Sequence, residues 1–164
     1  MDSLIIFGAE YLYLVVVFGA LAYIFRQPKE LRWKIALCAI IALPLTYIVA
    51  KIASYFYYDT RPFVVGQFAP LLPHVADNGF PSDHTLLSSA VAAVIFFFHR
   101  RLGLLLFAIA FLVGASRVFA GIHHFIDIFG SMAIAIVMTY VVVEYIFPKV
   151  WKKVSQKYPD SLSK

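Results

Sequence analysis

The sequence has almost no cysteine. Its single thiol, Cys38, lies inside an apolar run. One cysteine excludes an internal disulfide framework and a metal site built from several thiolates. The opening Met1-Asp2-Ser3 also lacks the basic region that begins a cleavable signal peptide. We therefore expect the first apolar run to remain in the protein as a helix.

Charge is scarce as well. Only 14% of the 164 residues are charged, whereas 62% are hydrophobic, and the mean hydropathy is +0.84. A soluble domain needs more polar surface than this. Runs such as residues 12–25 and 128–147 are apolar with little interruption, and they lack the alternation found in the strands of a membrane β-barrel. The sequence predicts an all-α, polytopic membrane helical bundle.

Five membrane spans fit this length. An apolar stretch of roughly 20 residues crosses the hydrocarbon as a helix. The hydropathy pattern places spans at about 4–25, 34–57, 84–98, 102–120 and 126–147. We interpret residues 1–164 as a single membrane-embedded domain with a basic cytoplasmic tail from about residue 149.

The basic residues orient these spans. Eleven of the 14 Lys and Arg residues fall between spans one and two, between spans three and four, and after span five. The positive-inside rule makes that shared side cytoplasmic. The N-terminus then lies outside, together with the remaining Lys51, Arg61 and Arg117. Topology and anionic lipid headgroups account for the net charge of +5, so it does not indicate nucleic-acid binding.

Three outer segments, residues 59–62, 80–84 and 116–127, carry groups that suit a phosphate. Arg61 and Arg117 are planar, permanently charged donors for phosphate oxygens. Ser82 and the amides beside it begin span three, where the positive end of a helix favours an anion. A charge at membrane depth costs at least ~2.5–3.5 kcal/mol and usually marks a site.

Two histidines add reactive groups. Asp127 lies four residues after His123, so it can hold one imidazole nitrogen while the other attacks. His84 can protonate a departing oxygen, since imidazole titrates near physiological pH. The neighbouring His124 is three residues from Asp127 and is a second possible partner. Haem or another metal held by His84 and His123 is the competing interpretation, which the arginines oppose by repelling a cation. Zinc would need additional ligands such as Asp83 or Asp127.

These residues resemble the type 2 phosphatidic acid phosphatases, a superfamily of metal-independent membrane lipid phosphatases. Its third motif is Ser-Arg, five residues, His, three residues and Asp, matched by Ser116, Arg117, His123 and Asp127. Its second motif, usually Pro-Ser-Gly-His, reads Pro81-Ser82-Asp83-His84, and its first ends in Arg61-Pro62. The motif register selects His123 rather than His124.

The resemblance implies a role for each matched residue. His123 attacks the terminal phosphorus to form a phosphohistidine, and Asp127 orients it. His84 protonates the leaving lipid phosphate and then activates water. Arg61, Arg117 and Ser82 bind the phosphoryl oxygens, and no metal or other cofactor is required.

Two positions depart from the family pattern. The first motif commonly has Lys seven residues before the Arg, where this chain has Ser54, and Lys51 lies three residues earlier. That is roughly one helical turn, or about 5 Å, so the long stem of Lys51 makes it a candidate phosphate ligand. Asp83 replaces Gly, and we expect it to shape the phosphate site, with its charge paired or neutralised.

Asp83 and residues 72–77 make the chain most similar to the bacitracin-resistance type of undecaprenyl-diphosphate phosphatase. This implies removal of the terminal phosphate of the polyprenyl lipid at the outer leaflet of a bacterial plasma membrane. A phosphatase for phosphatidic acid or phosphatidylglycerol phosphate is the alternative within the class. A non-enzymatic transporter or lipid-handling module is the alternative outside it. The roles of His74 and Glu10, and any protein partner, stay open.

Overall fold

Helices make up most of residues 1–157, the part of the chain that the computed structural model describes. No strand occurs in that range, where one isolated bridge pairs Thr60 with Asn78. The predicted all-α class is therefore confirmed. In chain order the helices are α1 (Asp2–Glu10), α2 (Leu12–Phe25), α3 (Lys29–Phe56), α4 (Pro62–Val65), α5 (Asp83–Phe98), α6 (Arg100–Phe119), α7 (Phe125–Val141) and α8 (Phe147–Lys157), with a π-helical turn at Val142–Ile146.

Five apolar segments correspond to the five predicted spans, with differences at their ends. Helices α3, α6 and the continuous helix Phe125–Lys157 are each long and apolar enough to cross a membrane. Helices α1 and α2, with a 45° bend between them, are together long and apolar enough for a fourth span. Helix α5 has only 16 residues, so it is about 24 Å long and shorter than the ~30 Å hydrocarbon core.

The segment predicted as a basic tail continues the last helix. Hydropathy falls at Lys149, but the backbone stays helical through the π-turn and α8 to Lys157. A helix satisfies its backbone within the segment in either solvent, so the change from apolar to basic residues does not end it. Trp151 stacks on Phe147, and Lys34 lies over the Trp151 ring at 5.3 Å, which joins α8 to α3. Lys164 lies outside the described residues.

Helix α5 is the centre of the bundle and packs against α2, α3, α6 and α7. Its buried positions are mostly small side chains, such as Ser88, Ser89 and Ala92. Gly103 of α6 lies directly against the backbone of Phe96, where any side chain would overlap it. Small residues let helices approach closely in lipid, where there is little hydrophobic driving force between them.

A second, smaller cluster lies at the end of the bundle where the motifs meet. It joins Ala9 of α1, Leu72 of the long α4–α5 connection, and Ala120 and Ile122 of the α6–α7 turn. The Leu71 amide donates to the Ala120 carbonyl at 3.0 Å, which ties the two connections together. This cluster joins α1 and the connection between the first two motifs to the turn that carries the third.

Candidate active site

His123 and Asp127 form a buried pair at the start of α7. The Nδ1 atom of His123 lies 3.1 Å from Oδ2 of Asp127, and the same oxygen accepts the backbone N–H of His124 at 2.9 Å. Asp127 is the third residue of α7, so the helix terminus holds it rigidly. A carboxylate on Nδ1 stabilises the Nδ1–H tautomer and leaves Nε2 unprotonated, with a lone pair that can accept a hydrogen bond or attack.

The ring of His124 makes a different pair. Its Nδ1 lies 2.6 Å from Oδ2 of Asp59, a residue that follows α3. Only the backbone of His124 contacts Asp127. The structure therefore separates two adjacent histidines that spacing alone left as rivals. The His124–Asp59 pair joins residues 65 apart, so no local sequence signal reveals it.

Arg61 is held from several sides. Its Nε donates to Oδ1 of Asp77 at 2.7 Å, and Nη1 donates to the Ile122 carbonyl at 2.8 Å. Nη2 donates to the Asn78 carbonyl at 3.3 Å. Nη1 also lies 3.4 Å from Nε2 of His123, so in the Nδ1–H tautomer this nitrogen accepts a long hydrogen bond from a positively charged donor.

Asn78 is a site-forming residue that sequence analysis missed. Its Oδ1 accepts the amides of Asp59 and Phe80, both at 2.9 Å. Its Nδ2 donates to the carbonyls of Ser54 and Tyr57, both at 3.0 Å. The Asn78 side chain thus joins the end of α3 to the loop segments that contain Asp59 and Phe80. The amino-acid composition does not reveal this role.

Arg117 is buried near the end of α6 and contacts the first span. Its Nη1 donates to the Ala9 carbonyl at 3.0 Å. Its Nε is buried and has no hydrogen-bond partner among residues 1–157. The end of α1 thus positions Arg117 and leaves a donor of this arginine unused.

Gly8 allows this contact between α1 and α6, because a Cβ there would overlap Oγ and Cβ of Ser116. We expect Gly8→Ala to displace the Ala9 carbonyl from Arg117 and to lower kcat/KM about tenfold, with a stability loss of about 1–3 kcal/mol. Gly19→Ala is the matched control, because its Cβ would make an ordinary 3.6 Å contact with Leu106. Equal effects of the two changes on phosphatase kinetics would contradict this role of α1.

His84 and Ser82 lie at the start of α5. The His84 ring packs edge-on against Tyr13 with centroids 4.8 Å apart. Ser82 is fully buried, and its hydroxyl accepts a hydrogen bond from Oγ1 of Thr85 at 3.1 Å. The side chain of Ser82 does not line the polar cavity, whereas its neighbours Pro81 and Asp83 do. We therefore expect the backbone amides of the first turn of α5, rather than the Ser82 hydroxyl, to bind a phosphate.

Lys51 reaches the site despite its displacement by one turn. Its Nζ lies 3.5 Å from Oδ1 of Asp83 and 5.0 Å from the centre of the Tyr47 ring. Ser54 instead accepts a hydrogen bond from Asn78, 3.2 Å from Nδ2 to Oγ. Lys51 supplies the partner charge that Asp83 was expected to need.

These side chains surround one polar cavity of about 350 Å³. Six of the eight predicted site residues line it: Lys51, Arg61, Asp83, His84, Arg117 and His123. Asp127 and Ser82 lie behind this lining. A second cavity of about 330 Å³ shares His74, His84 and Arg117 with the first and extends to Glu10 and Tyr11.

The sequence matches the PAP2 superfamily over residues 33–151. The chain belongs to the PAP2 superfamily. It is 30% identical over 141 residues to the undecaprenyl-diphosphatase BcrC of Bacillus subtilis (strain 168), covering 84% of this chain and 71% of that protein. It is 27% identical over 140 residues to phosphatidylglycerophosphatase B of the same organism, covering 79% of this chain and 64% of that protein. The fold is similar to the crystal structure of Aquifex aeolicus LpxE, with a TM-score of 0.71, 26% identity and 88% of each chain covered.

The matched PAP2 region contains every residue that lines the polar cavity. Helices α1 and α2 lie outside it, although Ala9 contacts Arg117. The chain is thus a PAP2 membrane phosphatase whose first span, beyond the matched region, also contributes to the site.

Electrostatics favour the neutral form of His123 in this site. Burial lowers the pKa of His123, and the charges of Arg117 and Arg61 lower it further, while the hydrogen bond to Asp127 opposes them. The net shift is downward, so the neutral imidazole persists to a pH below the ordinary histidine value of about 6.5. The pKa of His74, whose ring centroid lies 6.3 Å from that of His123, is lowered first by burial and then by the same arginines.

One group of side chains has ligand atoms close enough together to hold a metal ion. Asp59, His124 and Asp127 each bring one ligand atom within 4.8 Å of the others. Asp59 and His124 are hydrogen-bonded to each other, however, and Oδ2 of Asp127 is hydrogen-bonded to the ring of His123. Oδ1 of Asp127 is buried and has no hydrogen-bond partner among residues 1–157.

Proposed function

We propose that this PAP2 protein removes the terminal phosphate of undecaprenyl diphosphate through a phosphohistidine on His123. The observation that carries the proposal is the single cavity lined by His123, Arg61, Arg117 and His84. It combines a neutral nucleophile, two permanent cations and a second imidazole. Phosphoryl transfer depends mainly on positioning and on stabilising charge on the phosphoryl oxygens.

The proposed reaction has two steps. Nε2 of His123 attacks the terminal phosphorus, the bond to the bridging oxygen breaks, and His84 donates a proton to that oxygen. Water then attacks the phosphorus of the phosphohistidine, His84 takes a proton from that water, the P–Nε2 bond breaks, and inorganic phosphate leaves. Throughout, Asp127 holds Nδ1–H of His123 and stabilises the positive charge that develops on the ring.

A lipid tail has a route beside this cavity. An apolar cavity of about 240 Å³ lies between α3 and α5 and shares Asp83 with the polar cavity. Leu43, Leu86 and Leu87 are among the side chains that line it. A phosphate in the polar cavity is thus within reach of a surface that suits a hydrocarbon chain, which favours a lipid over a soluble phosphate ester.

Two features support a diphosphate in particular. The second cavity, which shares His84 and Arg117 with the first, supplies space for an inner phosphate next to the leaving oxygen. The relative BcrC is an undecaprenyl-diphosphatase by name. Phosphatidylglycerol phosphate is the second candidate substrate, because phosphatidylglycerophosphatase B is also a relative.

A transporter fits the placement of charge less well. Lys51 is near the end of α3, His84 begins α5, Arg117 is near the end of α6, and His123 lies in the following turn. The ionisable residues of the polar cavity therefore gather at one end of the bundle, whereas a transport pathway places them through the membrane depth. The distribution of basic residues supports an outward-facing site, with the N-terminus outside and the C-terminus in the cytoplasm.

Hydrolysis in detergent micelles tests the substrate. The purified protein should release phosphate from undecaprenyl diphosphate with a higher kcat/KM than from phosphatidic acid or phosphatidylglycerol phosphate. Far faster hydrolysis of either glycerolipid would overturn the narrow assignment. Absence of phosphate release from all three lipids would overturn the enzymatic proposal itself.

Metal independence is part of the proposal and has its own test. Because Arg61, Arg117 and Lys51 already supply positive charge to the phosphoryl oxygens, we expect EDTA treatment and dialysis to leave kcat unchanged within about twofold. Loss of activity on chelation, with recovery on adding a divalent cation, would contradict this and would direct attention to the Asp59–His124–Asp127 cluster.

A further inference from the structure

Two carboxylates form ion pairs with cations of the polar cavity. Asp77 accepts a hydrogen bond from Nε of Arg61 at 2.7 Å, and Asp83 lies 3.5 Å from Nζ of Lys51. All four side chains line the same cavity. The site therefore contains anions as well as the cations that a phosphate needs, although carboxylates in a phosphate site repel the ligand.

The carboxylates lie at the surface of the cavity, and Arg61 lies inside it. The side chains of Asp77 and Asp83 are 60% and 61% exposed, compared with 6% for Arg61. Arg61 is also held by the Ile122 and Asn78 carbonyls, so it stays in place when Asp77 leaves. Asp83 can turn into water at little cost, because both partners of the Lys51–Asp83 pair are exposed and such a pair has a small net free energy. Asp77 can also turn into water, and Arg61 then keeps its two carbonyl partners.

The charge of Arg61 acts on Asp77. Partial burial raises the pKa of Asp77, but its hydrogen bond to Arg61 and the positive charge of Arg61 outweigh burial, so the net shift is downward. Asp77 is thus an anion at neutral pH and offers Arg61 the same kind of oxygen that a phosphate offers. Phosphate and Asp77 compete for one donor.

We propose that Asp77 and Asp83 are resident counter-ions that compete with phosphate for Arg61 and Lys51, and that this competition weakens binding of the inorganic phosphate product. The inference rests on the proposed function, since it assumes that this cavity binds the phosphate that is released. The carboxylates separate from the cations when substrate enters, and they return as the product leaves. Asp77 and Asp83 thus determine how readily inorganic phosphate leaves the site.

The test removes charge but keeps the hydrogen-bonding shape. Asp77→Asn and Asp83→Asn proteins, purified in detergent, are titrated with inorganic phosphate at pH 7.5 by calorimetry, and the inhibition constant of phosphate is measured during lipid hydrolysis. We expect phosphate to bind about tenfold more tightly to Asp77→Asn and about threefold more tightly to Asp83→Asn. Glu30→Gln is the matched control, because it breaks the Glu30–Lys34 pair of 2.6 Å in the first turn of α3, and it should change neither constant.

The sign of the change decides between competition and positioning. If the carboxylates merely position the two cations, both variants will bind phosphate more weakly. Unchanged or weaker binding in folded variants overturns the proposal. Because Asp83 is largely exposed, Asp83→Asn provides the result even if Asp77→Asn fails to fold, as judged by its melting temperature and elution volume.

A double variant tests whether Asp83 acts through Lys51. In the Lys51→Met background the gain in phosphate affinity from Asp83→Asn should fall to less than half of its value in the parent protein. An undiminished gain would overturn the pairing and leave only general repulsion by Asp83. Calorimetric titration with phosphate does not require turnover, so the two proposals can fail separately. If the parent protein hydrolyses no lipid, the proposed function is wrong. If it is active but the aspartate variants bind phosphate with unchanged affinity, only the proposed competition is wrong.

Discussion

Replacing His123 with Gln should lower kcat for lipid phosphate hydrolysis by about 10⁴-fold or more. Glutamine keeps a polar side chain beside Asp127 and Arg61 but cannot form the covalent intermediate. His123 is buried, and its Nδ1 is held at 3.1 Å from Asp127. Phosphate release by the purified variant measures the loss.

His124→Gln is the matched control for this experiment. It breaks the 2.6 Å pair with Asp59 but leaves the backbone N–H of His124 on Asp127. We expect a loss in kcat of about tenfold or less, caused by a loosened α6–α7 turn. A reversed pattern, with an active His123→Gln protein and an inactive His124→Gln protein, would assign the nucleophile to His124.

Replacing Arg61 with Lys should lower kcat/KM by about 10²–10³-fold. Lysine keeps the positive charge but loses the planar arrangement of donors that contacts Asp77, Ile122 and Asn78 together. The charge would move relative to Nε2 of His123, which now lies 3.4 Å from Nη1. Steady-state kinetics over a range of substrate concentrations separates the loss into kcat and KM.

Arg32→Lys controls for the general cost of replacing an arginine that contacts carbonyls. Arg32 donates to the Phe25 and Gln27 carbonyls at 2.9 and 3.3 Å near the start of α3, at the other end of that helix from Lys51. We expect its kinetics to match the parent protein within about twofold. If Arg61→Lys also kept full activity, Arg61 would serve only as a structural residue of the loop.

The motifs predicted the site because a reactive side chain needs a partner group at a fixed spacing, which the sequence shows. A histidine four residues before an aspartate at a helix start places the carboxylate on the ring, and the structure has His123 and Asp127 in that relation. Arg61, Arg117 and His84 were expected in one place and do line one cavity. Their catalytic roles stay predictions, which the variants above test.

Other parts of the site depend on contacts between distant residues. Arg117 and Ala9 are 108 residues apart, and Arg61 and Asp77 are 16 apart across a connection whose one helix is the four-residue α4. Hydropathy places the first span but does not reveal its 45° bend, which brings the end of α1 to Arg117. Such contacts follow from the packing of whole segments, and a single sequence does not encode them locally.

If His123 is the covalent nucleophile, it carries the transferred phosphate during turnover. Protein mixed rapidly with lipid carrying ³²P in its terminal phosphate, quenched in base and digested with trypsin, should contain label in the peptide that begins at Val118, and fragmentation should place it on His123 rather than His124. The label should disappear in His123→Gln. Label on His84 or His124, or turnover by His123→Gln at the rate of the unaltered protein, would contradict the account.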